Sequence, residues 1–181
     1  MPDRAESYLE ALRREFPGLC VVQKCDDRLS RVIDVALRIV TLGAQRAFMT
    51  SYVTTLGRTI YVPQGWDDRA PDDRYITLRH EAVHLRQFRR FGSVRLALLY
   101  LLPILPMGLA LGRARLEWEA YRETLRATAD VYGIGAIHDP AIVERIVRQF
   151  TSGAYGWMWP FPRTVRGWIA EATRAIEREI G

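Results

Sequence analysis

The chain has 181 residues, 49% of them hydrophobic and 26% charged, which is enough apolar material for one compact domain with a sizeable core and excludes disorder. Two cysteines, Cys20 and Cys25, without C-x-x-C spacing exclude a disulfide scaffold and a cysteine-metal module; both are expected as reduced, partly buried thiols. The net charge is +5, but the basic residues are scattered arginines, with Lys24 the only lysine, and no nucleic-acid reading motif accompanies them, so no nucleic-acid partner is expected. The opening residues are polar, with no apolar segment behind them, a pattern without a signal peptide that implies a cytoplasmic location.

In chain order, apolar residues at Ala5, Tyr8, Leu9 and Leu12 predict a helix over 3–16, stopped by Pro17-Gly18. Leu19-Cys-Val-Val is a short β-prone run, and a second helical pattern runs from Leu29 up to Gly43. Phe48-Met-Thr-Ser-Tyr-Val-Thr-Thr and Arg58-Thr-Ile-Tyr-Val are rich in β-branched and aromatic residues and predict a hairpin turning at Leu56-Gly57. A long helix follows, with Asp72 or Asp73 as its expected N-cap and Gly92 just past its end. Further helices are predicted over 113–132, 140–150 and 162–180. No repeat, low-complexity tract or linker interrupts 1–181, so a single domain is expected.

Inside the long helix lies His80-Glu-Ala-Val-His84, an H-E-x-x-H motif. At 100° per residue the two imidazoles share one face a turn apart and can bind one ion, while Glu81 sits beside them to reach water at that ion. With only three histidines in the chain, chance places about 0.003 such motifs in a sequence of this composition. Zinc held by two histidines needs a third protein ligand. Gly and His at the third and sixth positions after His84 would mark a metzincin; Gln87 and Arg90 occupy them and exclude that class. His138, in a turn before a helix, is one remaining option. The helix carrying Glu117 and Glu119 offers another: projection puts Ala114, Trp118, Tyr121, Leu125 and Tyr132 on one stripe with Glu117 at its border. Glu119 falls on the opposite, solvated side with Arg115, Arg122, Glu123 and Arg126. An inward carboxylate needs a compensating partner, which favours Glu117 as ligand, with Glu119 as the fallback.

H-E-x-x-H followed by a glutamate on a separate helix resembles the gluzincin metallopeptidases, and the order of elements is similar to minigluzincins. Glu117-Trp-Glu-Ala-Tyr121 also resembles the E-x-x-A-D element of HtpX-like and CAAX-processing proteases, which aligns Glu117 with the ligand but places Tyr121 where those families carry an aspartate. The resemblance implies a mostly helical α+β, zincin-like fold with a small hairpin or sheet before the motif helix, and a peptidase acting on peptide or protein substrates. It implies one zinc ion held by His80, His84 and Glu117, and Glu81 as general base. The carbonyl oxygen's second donor would be Tyr155, His138 or Arg122, with Tyr155 preferred because Gly153 and Gly156 flank its neighbourhood. By the same resemblance, one strand of the hairpin at 48–62 would bind substrate in extended form.

Leu96 and Gly112 bound a run of 17 residues without a charge, interrupted by Pro103 and Pro106 and flanked by arginines. As a helix it would measure about 25 Å, short of a bilayer span, so a buried hairpin is expected, with peripheral membrane contact as the other reading. The aromatic cluster from Tyr155 through Trp157 and Trp159 to Phe161 is expected as a core plug or as an apolar wall of the substrate cleft. The competing functional reading is a catalytically silent zinc-binding domain acting in protein or membrane-surface association.

Overall fold

The computed structural model describes residues 3–24, 53–96, 110–152 and 158–180. Cys25, the helix expected from Leu29 to Gly43, the start of the strand at Phe48, most of the apolar run between Leu96 and Gly112, and Tyr155 with Trp157 lie outside these residues. The protein is mostly helical α+β, with a three-stranded mixed sheet preceding the long motif helix. Two compact units divide it, 1–93 and 94–181.

In the first unit, α1 (Arg4–Glu15) begins with a reciprocal cap: Asp3 Oδ1 accepts from the Glu6 N–H at 2.8 Å, and Glu6 Oε2 accepts from the Asp3 N–H at 3.2 Å. The strands are β1 (Cys20–Gln23), β2 (Thr54–Leu56) and β3 (Thr59–Val62). The hairpin turns at Gly57-Arg58, one residue later than Leu56-Gly57, because Leu56 still pairs with Thr59; Gly57, at φ 61°, supplies the left-handed backbone that this two-residue turn requires. β3 is the central strand, parallel to β1 and antiparallel to β2, with Thr55 opposite Ile60 and Leu56 opposite Thr59. Among the described residues, β2 therefore pairs on one side only. Cys20 is exposed rather than partly buried: it stands at the first position of β1, opposite Thr59 rather than the buried Ile60.

The motif helix, α2, spans Pro71–Phe91. It starts earlier than an Asp72 or Asp73 cap implies: Ala70 is the N-cap and Pro71 opens the first turn, where its missing N–H has no partner to lose. Asp72 and Asp73 lie inside that turn, where negative charge meets the positive end of the helix dipole. Gly92 ends the helix as expected, its N–H donating to the Phe88 carbonyl at 2.9 Å. α1 runs alongside α2 in the same direction, held at the start by Arg74 on Asp3 (2.5 Å) and at the end by Arg86 on Glu15 (2.8 Å). Between them and the sheet lies a core containing Leu12, Ile60, Val62, Leu78, Ala82 and Leu85.

The second unit contains α3 (Leu111–Tyr132), a 3-10 turn (Ile134–His138), α4 (Pro140–Thr151) and α5 (Pro162–Ile180). Asp139 caps α4 by accepting from the Ala141 N–H at 2.8 Å, with Pro140 at the first helical position. Phe150, fully buried, centres the core, with the rings of Tyr121, Trp168 and Trp118 at 5.5, 6.0 and 6.3 Å. The expected stripe of α3 holds for Ala114, Trp118, Tyr121 and Leu125, which pack on this core. Tyr132 departs from it and is exposed, because the helix ends there, where no later residue of α3 shields its ring. Of the aromatic segment, Met158 is buried in the same core and Trp159 packs on Trp168 at 5.8 Å. No helix among the described residues is long and apolar enough to cross a membrane.

Candidate metal centre

The ligand face of α2 follows from its period. Taking His80 as zero, His84 projects at about +40° and Gln87 at about −20°, so all three line one stripe. His80 Nε2 and His84 Nε2 approach to 3.3 Å, with the rings at an interplanar angle of 69°. Two zinc–nitrogen bonds of about 2.05 Å meeting at the tetrahedral angle separate their nitrogens by roughly 3.35 Å, so the pair has the spacing that one such ion requires. On the other side of the His84 ring, Nδ1 lies 2.9 Å from Gln87 Oε1, and both side chains are buried. An N–H at Nδ1 donating to that oxygen leaves Nε2 with its lone pair, the tautomer that a ligand needs.

Glu81, 4% exposed, sits one residue on from His80 along the same helix. Its Oε2 accepts a hydrogen bond of 2.7 Å from the Thr55 hydroxyl. Strand alternation explains why Thr55 reaches it: Thr55 and its register partner Ile60 are buried while Thr54 and Leu56 are less so, and the inner face of the sheet packs against α2. A buried carboxylate is costly unless hydrogen-bonded, and the hydroxyl supplies part of that compensation.

On α3, Glu117 retains only 9% exposure while Glu119 is exposed, as the helical projection anticipates. Glu117 lies on a second buried stripe of that helix with Leu116, Ala120 and Thr124, next to the one that packs on the Phe150 core. His80 and His84 each offer a metal ion one nitrogen from the first unit, and Glu117, in the second unit, carries a carboxylate that could be a further ligand. Two imidazoles and a carboxylate suit zinc among the common divalent ions, and the Nε2 spacing fits its coordination.

The remaining candidates fall elsewhere. His138 is exposed and pairs through Nε2 with Glu177 at 2.8 Å, Arg122 is exposed on α3, and Tyr155 lies outside the described residues. Tyr121, which replaces the aspartate of the resembled element, packs its ring on Phe150. Sequence reasoning passed over two residues that the structure sets against the motif. Thr55 carried a signal only in strand alternation. Gln87 carried one in its place on the ligand stripe, although its identity served only to exclude a class.

No protein family matches the chain, and neither a curated protein nor a solved structure does.

Proposed function

We propose that this protein is a zinc-dependent peptidase of gluzincin type, in which His80, His84 and Glu117 hold one ion and Glu81 is the general base. The observation that carries the reading is the buried Glu81 carboxylate beside a pair of facing imidazoles, held by a side chain from the strand in front of it. A purely structural zinc site has no use for such a base, so the same observation weighs against the catalytically silent alternative. The reading takes 1–181 as one peptidase domain.

A zinc ion in this setting acts as a Lewis acid toward water and toward the scissile carbonyl. The chain's own residues do the rest. The Thr55 hydroxyl holds the Glu81 carboxylate through Oε2, and that carboxylate takes the proton of the attacking water and passes it to the leaving amine nitrogen. Substrate would lie along β2. The two-residue turn makes Leu56 and Thr59 the closing hydrogen-bonded pair, so the next pair, Thr55 and Ile60, is not hydrogen-bonded and the Thr55 N–H and C=O point away from β3. An extended peptide adding at that edge would meet the backbone of the same residue whose side chain holds the base. Tyr155 is our candidate for the second donor to the carbonyl oxygen, and the run between Leu96 and Gly112 our candidate for peripheral membrane contact.

The test is zinc stoichiometry together with cleavage of a mixed peptide library by wild type and Glu81→Gln. We expect one zinc in both proteins and cleavage by wild type alone. Cleavage by Glu81→Gln at the wild-type rate, or a wild type that takes up no zinc, rejects the reading.

A further inference from the structure

We infer that Gln87 is a positioning residue for the metal centre, fixing the tautomer and orientation of His84 so that its Nε2 is presented as a ligand. The inference rests on the metal-centre reading above and deepens it.

Three observations carry it. Gln87 is 3% exposed, and a buried primary amide must be hydrogen-bonded or cost a large part of its desolvation energy. Its Oε1 lies 2.9 Å from His84 Nδ1, the ring nitrogen remote from His80. His84 Nε2 is the atom that faces His80 Nε2 at 3.3 Å. An amide oxygen can only accept, so in the neutral imidazole that makes this bond Nδ1 carries the proton and Nε2 is left unprotonated. The three residues are spaced by four and three positions along one helix, so they turn together and the relay needs no other element to keep its register. The hydrogen bond also restricts rotation of the ring, lowering the ordering that metal uptake must supply.

This differs from an acidic partner on the glutamate helix, where Tyr121 stands in the resembled element. Here the support comes from α2 itself, on the second histidine, and from a neutral amide. A neutral acceptor adds no charge to the site, so a His-His-Glu set keeps a net charge of +1 with a divalent ion bound.

Zinc affinity of the full chain, measured by competition with a chromophoric chelator, tests this on wild type, Gln87→Leu and Gln87→Glu. Gln87→Leu removes the acceptor at similar volume and is expected to weaken zinc binding about 10- to 100-fold. Gln87→Glu can only accept, and is expected to bind zinc at least as tightly as wild type. A cobalt(II) spectrum changed in Gln87→Leu and restored in Gln87→Glu is the matching signature. If Gln87→Leu binds as tightly as wild type, or Gln87→Glu is weakened as much as Gln87→Leu, the inference is wrong while the metal centre stands. If wild type binds no zinc, the metal-centre reading falls and takes the inference with it. Nitrogen-15 NMR of the metal-free wild type needs no variant: with neutral imidazoles, His84 Nδ1 should show the protonated-type shift and Nε2 the unprotonated type. The reverse pattern overturns the inference.

Discussion

The Thr55 hydroxyl donates to Glu81 Oε2 at 2.7 Å, so β2 and the motif helix are joined at the proposed base. A hydrogen bond to a charged carboxylate contributes about 1.5–3 kcal/mol, enough to fix how the carboxylate is aimed. Thr55→Val keeps the shape and β-propensity of the side chain but removes the donor. We expect peptide turnover to fall about 10- to 100-fold with zinc content unchanged, and Thr55→Ser to recover most of it. Steady-state kinetics beside elemental analysis would check this; wild-type kcat in Thr55→Val counts against a role in aiming the base.

The same residue separates side chain from backbone. Thr55→Pro removes the hydroxyl and the outward N–H together, whereas Thr55→Val removes the hydroxyl alone. Because that N–H is on the side away from β3, proline there costs no bond within the described sheet. A further rise in KM from Val to Pro, with zinc retained, is the outcome expected for edge addition of substrate. Equal KM values in the two variants would place the substrate elsewhere.

Glu117 and Glu119 are two residues apart and differ mainly in burial. Glu117→Ala should therefore lose the zinc, while Glu119→Ala, changing a solvated side chain, should keep about one ion per chain and shift stability by no more than about 0.5 kcal/mol. Elemental analysis after reconstitution and gel filtration decides between them. Loss of zinc from Glu119→Ala alone would reverse the assignment.

At the far ends of α1 and α2, Arg86 and Arg89 hold Glu15. The hydrogen bond from Arg86 is the main reason the Glu15 carboxyl lies below its ordinary value of 4.5, and the same pair raises the Arg86 guanidinium. A lowered folded value means that the stabilisation is complete above pH 4.5 and is lost as the pH falls through the folded value. The pair is partly exposed and screened, so Glu15→Gln should cost only about 0.2–1 kcal/mol at neutral pH. Urea melts at pH 7 and near pH 3 should show that difference shrinking in acid; a difference that grows in acid contradicts the assignment.

Phe150 is wholly buried among Trp118, Tyr121 and Trp168. Phe150→Ala opens a large cavity between α3, α4 and α5 and should cost about 3–5 kcal/mol, readable as a lower denaturation midpoint. Phe150→Leu, which refills most of the volume, should cost clearly less. Equal losses would mean that the ring packing, rather than the volume, sets the stability of this core.

Local chemistry was legible from the residues alone. Pro17-Gly18 after α1, Gly57 in the hairpin turn, Gly92 at the end of α2 and Pro140 at the start of α4 follow from backbone preferences confined to a few positions. The H-E-x-x-H spacing and the choice of Glu117 over Glu119 follow from helical period, which every residue of a helix obeys whatever surrounds it. The local signals failed where Pro71 moved a helix start, where the hairpin turned one residue late, and where Cys20 and Tyr132 proved exposed.

What the tertiary structure alone decided is the set of partners. That β3 lies between β1 and β2, that Thr55 meets Glu81 across 26 positions of sequence, and that Trp168 and Phe150 close on α3 all depend on register and docking between separate elements. Gln87 is the case between: its direction could be read from the helix, but its bond to His84 depends on rotamers and burial that packing sets. The sequence by itself thus determined which groups share a helix face and could ligate a metal, because period and capping are local. Only the folded chain determined what holds those groups in place, because a hydrogen bond between distant residues exists only once their elements are packed.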